Sequence, residues 1–434
     1  MTRRDGVSSL PTIAALLLLL CLALPAHAAE PEPALRMRAA ALVPLFNQSA
    51  KPAQILAPSF LAQIPATQIA ALGRRLVSQF GRAKSVERLV AKSATAGTAF
   101  IAFERATVRV ELALEANPPH RVTALLVSAA DVKGDSLARV VQEIWSLPGQ
   151  ASLAVARLGP HGPPQFSIAH KANRPLAIGS AFKLFILAEL SRSIAAGERK
   201  WSDVVPLDRF STGSGSLESW PAGSPMTLHS LAVLMISQSD NGAADTLLHL
   251  LGREKVERLL PDLGIAAPEK LRPLLTTREW ALLKASDTGA LAAQWARASE
   301  TERRDLLAGP VAALDVSRID PSRMIAAPNA IDTVEWFAST GDLVRVMDWL
   351  RRNGGSEALD ILAINPGIGR IQAEALAYLG YKGGSETGVL NMTFLVRGKD
   401  GEWHAVSGTW NDPANSVDEG RFQLLMSRAI ALVR

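Results

Sequence analysis

The hydrophobic spacing of this chain changes period several times, and the order of those changes limits the folds open to it. Residues 34–46 and 66–80 carry apolar side chains three and four apart, the spacing of one helix face. The second run follows Pro65-Ala-Thr67, a helix-start pattern. Four short β-branched or alternating runs come next, at 86–91, 98–103, 108–114 and 121–127, separated by turn residues. Helices followed by a meander predict an α+β domain over 31–132, with helices packed on one face of an antiparallel sheet. No carboxylate or histidine in this half stands out, so a binding or spacer role is expected for it.

The remainder reads differently. Residues 136–145 predict a helix, and 151–158 and 165–169 predict paired strands around the turn 159–164. A helix follows Ser180, then a Gly/Ser-rich loop at 211–216 and further helices through Gly252. Residues 253–335 are helical in places but poorly patterned. Strands return at 388–396 and 404–409, and a closing helix is expected at 417–433. Strands, then many helices, then strands predict a second α+β domain over 137–434. Its antiparallel sheet is assembled from both ends of the domain and flanked by helices.

Residues 1–28 have the build of a secretory signal peptide. Arg3 and Arg4 precede an apolar run at 13–24, and Ala26-His27-Ala28 supplies a small-x-small site. The run is too short to span a bilayer comfortably. The expectation is therefore a periplasmic or secreted protein with no transmembrane anchor after leader removal. Cys21, the single cysteine, lies inside that leader, so cleavage after Ala28 would exclude disulfides and thiolate metal sites. The formal charge of +5 is spread out, with no Lys/Arg run that would suggest a nucleic-acid partner. No cofactor motif is present, and a small-molecule substrate is the expected partner.

Ser180-Ala-Phe-Lys183 is the one place where a serine stands three residues before a lysine. It lies between the irregular stretch 173–179 and a strongly helical run. A serine opening a helix can serve as an N-cap. A lysine one turn on shares its face, and burial near a helix N-terminus disfavours the ammonium form. The pair therefore reads either as a helix start or as a nucleophile with its base. Ser239-Asp240-Asn241 interrupts a helical run and reads alone as a cap. Tyr381-Lys382-Gly383-Gly384-Ser385 reads alone as a glycine-rich turn before a strand.

In this order, the three match the set S-x-x-K, S-D-N and K-T-G. Residues 137–434 resemble the penicillin-recognising serine hydrolases, and Met235-Ile-Ser-Gln-Ser-Asp-Asn241 with Ala243-Ala-Asp245 looks like the class A β-lactamase version. Leu56-Ala-Pro-Ser-Phe60, followed by helix and sheet, makes the first half resemble the ketosteroid-isomerase-like cone, also called the nuclear transport factor two fold. The resemblance implies a serine hydrolase acylated at Ser180, with Lys183 as base or proton relay. Ser239 would shuttle a proton to the leaving group, Lys382 would tune it, and Asn241 would orient Lys183 and the substrate amide. The amides of Ser180 and Ser385 would form an oxyanion hole, with Gly383 and Gly384 admitting the substrate closely. The implied reaction opens a β-lactam or a related cyclic amide or ester. A carboxylesterase, a cell-wall peptidase-like enzyme or a penicillin-binding protein that never turns over uses the same parts.

Two departures stand against the family pattern. Gly383 occupies the place of a threonine whose hydroxyl helps hold the substrate carboxylate, which shifts that task to Ser385 or Thr387. No E-x-x-L-N loop supplies a deacylating glutamate. The stretch from Ser239 to Lys382 is longer than the resemblance leads one to expect, and the excess falls in 253–335, where that loop belongs. Glu279, Glu300, Glu302 and Glu335 are the substitutes, and Glu335, just before Trp336, is the one expected. Ser180 is not in a G-x-S-x-G elbow. His120, His161, His170, His229, His249 and His404 show no triad or metal-ligand spacing.

Overall fold

The computed structural model describes residues 33–207, 215–286 and 289–433. The predicted leader and positions 211–214 of the Gly/Ser-rich loop lie outside the described residues. Among those described, no helix is long and apolar enough to cross a membrane.

In the first domain, helices Pro33–Phe46 and Ala66–Phe80 cover one face of a four-stranded antiparallel meander, Ala83–Ala91, Ala96–Phe103, Ala106–Leu114 and Val122–Val132. Ile69, Gly73, Leu76 and Phe80 form the buried stripe of the second helix. Each large side chain there contributes about 1.5–3 kcal/mol by leaving water. A Cβ on Gly73 would stand 2.7 Å from the Phe46 carbonyl oxygen, so only glycine lets the two helices approach this closely. Phe46 and Phe80 both pack against Phe103 of the sheet, with ring centroids 6.3 Å apart in each pair.

The second domain is built on a five-stranded antiparallel sheet. Its order is Tyr378–Glu386, Val389–Arg397, Trp403–Asn411, Gln150–Leu158 and Gln165–His170. The three C-terminal strands thus precede the two N-terminal ones across the sheet. Ala154 and Ala156 face a core with helices Lys183–Ala195, Asn241–Leu251 and Thr340–Asn353. Leu153 and Val155 face the opposite core, with helices Leu137–Trp145 and Glu419–Ala431. That alternation is the pleat of a sheet buried on both faces.

The C-terminal helix joins the domains. Its Leu424 enters the core of the first domain. Its Arg428, only 2 % exposed, is held by both oxygens of Asp135 at 2.8 Å and by Glu143 at 2.8 and 2.9 Å.

Two local expectations change. The Tyr381–Ser385 segment is not a turn; it lies within the edge strand Tyr378–Glu386. Its paired glycines look like turn residues, but they are small because neighbouring groups press on the strand. Ser180 does not cap the helix that carries Lys183. It sits in a 3₁₀ turn, Gly179–Phe182, and the helix begins at Lys183 with no side-chain cap.

Candidate active site

Ser180 is presented by that turn, which is wedged against the edge strand. A Cβ on Gly384 would stand 2.2 Å from the Ile178 carbonyl oxygen and 2.4 Å from the Ser180 nitrogen. A Cβ on Gly179 would stand 3.1 Å from the Ser385 nitrogen. Glycine at both positions therefore brings the Ser180 and Ser385 amides to the same place, as an oxyanion site requires. The turn is pinned from behind by two further contacts. Asn411 exchanges two hydrogen bonds with the backbone of Ala177, at 2.8 and 3.0 Å. Trp336 accepts from the Ile178 amide at 3.0 Å, and its ring stacks on Phe182 with centroids 4.0 Å apart.

Lys183 is fully buried beneath the turn. Its Nζ donates to the Ser239 carbonyl at 2.5 Å, the Ser239 hydroxyl at 3.2 Å and Asn241 Oδ1 at 2.7 Å. Burial lowers its pKa from 10.5 to about 7, although Asp245 and Asp240 pull the other way. Lys382, also buried, donates to the Ser239 hydroxyl at 3.0 Å and to the Gly383 carbonyl at 2.5 Å. Burial, then the neighbouring charge of Lys183, lowers its pKa well below the usual lysine range. The Ser239 hydroxyl thus lies between two lysine amines.

Ser239 achieves this with a left-handed backbone, φ 59°, which is uncommon for a side chain other than glycine. The strain turns both its carbonyl and its hydroxyl toward Lys183. Asp240 next to it caps the helix Asn241–Leu251 through the Ala243 amide at 2.9 Å and accepts from the Leu217 amide at 3.1 Å. Its cap reading therefore holds, and Ser239 and Asn241 face Lys183 as a consequence of that cap.

With this geometry in place, comparison with known proteins is informative. Residues 136–307 match the model of the β-lactamase enzyme family. The matched stretch lies almost wholly within the second domain and takes in Ser180, Lys183, Ser239 and Asn241. Among solved structures, a β-lactamase from Sphaerobacter thermophilus is 20% identical, with a TM-score of 0.46, covering 68% of this chain and 94% of that one. A β-lactamase from Francisella tularensis is 12% identical, with a TM-score of 0.47, covering 69% and 98%. PBP-A is 14% identical, with a TM-score of 0.46, covering 68% and 94%. No curated protein matches the chain.

In this domain, Ser180, Ser239, Lys382, Gly383, Gly384 and Ser385 line one cavity of about 400 Å³, with Lys183 and Asn241 buried beside it. Thr387 is not part of that lining; its hydroxyl donates to the Met324 and Ile325 carbonyls.

Glu335 is drawn away as well. Its carboxylate accepts from Trp280 Nε1 at 2.6 Å and from Lys284 at 2.7 Å. Lys284 also bonds Glu386 at 2.6 Å. Burial, then the Glu335 charge, pushes the Glu386 carboxyl well above the usual range. This buried cluster ties the 253–335 insertion to the end of the edge strand, and Glu335 is consumed by it.

Glu279 is occupied too. It completes a capping box with Thr276 and pairs with Arg253 at 2.6 Å. Glu300 pairs with Arg304, and Glu302 closes the box of its own helix with Ser299. Asp245, by contrast, appears in the sequence motif with no role of its own. Fully buried, it accepts from the Thr277 and Arg278 amides at 2.7 and 3.0 Å and so fixes the start of helix Thr277–Ala285. Its spacing of four from Asn241, one turn along the same helix, was the available signal. No group of three or more His, Cys, Asp or Glu among the described residues is placed to hold a metal.

Proposed function

We propose that this protein is an exported hydrolase in which Ser180 is acylated by a β-lactam or a related cyclic amide or ester. The observation that carries the reading is the buried Lys183 amine, with a pKa near 7 and three oxygens oriented around it. Neutral Lys183 takes the Ser180 proton as the hydroxyl attacks the carbonyl carbon. The carbonyl oxygen takes up negative charge facing the Ser180 and Ser385 amides. As the C–N or C–O bond breaks, the Ser239 hydroxyl gives its proton to the leaving atom. It is then reprotonated from the lysines on either side. Residues 1–28 support delivery to the periplasm or beyond.

A second reading has its own support. Each of the four candidate glutamates is already bonded within the protein, Glu335 most completely, and the hydrogen bonds of Lys183 go to Ser239 and Asn241. The acyl-enzyme is therefore expected to be long-lived, as in a penicillin-binding protein or a slow esterase.

The test mixes the protein with a chromogenic cephalosporin and with a p-nitrophenyl ester, following turnover and intact mass together. A Ser180 adduct with slow release is the expected result. Fast cephalosporin turnover would favour an efficient β-lactamase, and full activity in Ser180→Ala would remove the reading altogether.

A further inference from the structure

The cavity in front of Ser180 has an unusual charge balance. Among the described residues its charged lining consists of Lys382 and Glu419, and no arginine borders it. Lys382 is spent on the protein itself, through the Gly383 carbonyl and the Ser239 hydroxyl. Glu419 is exposed in the first turn of the C-terminal helix, with Gln423 one turn on in the same cavity wall. The exposed charge of the lining is therefore that of Glu419, because burial holds the Lys382 amine well below the usual lysine range.

Tyr381 supplies the second half of the observation. Tyr381, Gly383 and Ser385 lie on one face of the edge strand, because side chains alternate along it. A Cβ on Gly383 would stand 2.0 Å from the Tyr381 hydroxyl oxygen. One on Gly367 would stand 2.5 Å from the ring itself. Phe394 packs on the ring with centroids 4.8 Å apart. Two glycines and a phenylalanine thus hold the ring in place. Its hydroxyl fills the space that a side chain at 383 would take, and no described residue accepts its hydrogen bond. Burial, then the Glu419 charge, raises the phenol's pKa, so the group remains a donor at neutral pH.

We infer that this cavity selects substrates whose group beside the reactive carbonyl is uncharged, such as an ester or amide, over those carrying a free carboxylate there. Tyr381 donates a hydrogen bond to that neutral group, and Glu419 opposes an anion in its place. The inference rests on acylation of Ser180.

Its test uses a chromogenic cephalosporin as the free acid and as its methyl ester, with wild type, Tyr381→Phe and Glu419→Gln. Chromophore release and the mass of the Ser180 adduct are followed for each. The ester is expected to acylate wild type about tenfold faster than the acid. Glu419→Gln should narrow that ratio to about threefold, and Tyr381→Phe should slow the ester about fivefold. An acid that reacts as fast as the ester, or a ratio unmoved by Glu419→Gln, overturns the inference while acylation of Ser180 stands. Absence of any adduct from either form in wild type removes the acylation reading, and this inference with it.

Discussion

Lys183 meets Ser239 through two atoms of the serine, its carbonyl oxygen at 2.5 Å and its hydroxyl at 3.2 Å. A carbonyl oxygen can only accept, so the amine keeps a proton directed there whether it is charged or neutral. When the amine is neutral it carries a lone pair, which a base for the Ser180 hydroxyl requires.

The acylation rate is therefore expected to rise with pH through an inflection near 7, where Lys183 loses its charge. Stability follows the same direction. The unfolded chain keeps this lysine protonated up to about its ordinary value of 10.5, whereas the folded chain releases the proton near 7. The unfolded state binds more protons between those values, so burying the amine costs most below pH 7 and the cost fades as pH rises. Lys382 acts in the same direction. Stopped-flow acylation and thermal melts across pH 6–9, a range of roughly three units around that inflection, check both. Lys183→Arg, which cannot become neutral, should lose about 10²–10⁴-fold in acylation.

Ser239 trades stability for placement. Its φ of 59° suits glycine. Ser239→Gly is expected to stabilise the fold by about 1 kcal/mol while lowering acylation, because the shared hydroxyl between Lys183 and Lys382 is gone. A melting temperature that falls, or acylation that does not, would contradict this account.

Lys284 is the only cation bonded to the buried carboxyls of Glu335 and Glu386 among the described residues. Lys284→Met should destabilise the protein by about 3–5 kcal/mol, since it strands both. Glu335→Gln should lower the melting temperature but leave the lifetime of acyl-Ser180 unchanged. A lengthened adduct lifetime by intact mass would instead make Glu335 the deacylating base.

Arg428 fastens Asp135 of the connecting segment and Glu143 of helix Leu137–Trp145 to the C-terminal helix through four charge-assisted bonds. Arg428→Ala leaves Asp135 and Glu143 without it. The expected cost is about 3–5 kcal/mol, read from urea unfolding. Acylation of the folded fraction should survive, because the residue does not border the cavity.

The local periodicities of the first domain were legible because its strands pair in chain order and helix Ala66–Phe80 buries a single apolar stripe. The serine–lysine pair was legible too, being one helical turn apart. The edge strand was misread because two adjacent glycines signal a turn locally. Their reason is tertiary: the Ser180 turn presses on Gly384 and the Tyr381 ring on Gly383.

Chain order and residue type alone were enough to propose Ser180, Lys183, Ser239 and Lys382 as one acylation site, because that chemistry needs particular side chains in a particular order. The fate of the glutamates was decided only in three dimensions. Each had a plausible place near the missing loop. Yet a buried carboxyl must find donors wherever packing offers them, and here Lys284, Trp280, Arg253 and the helix caps reached them first. The tertiary structure also turned the loss of a hydroxyl at Gly383 into the gain of one at Tyr381, since only packing could bring residue 381 into the space left by residue 383.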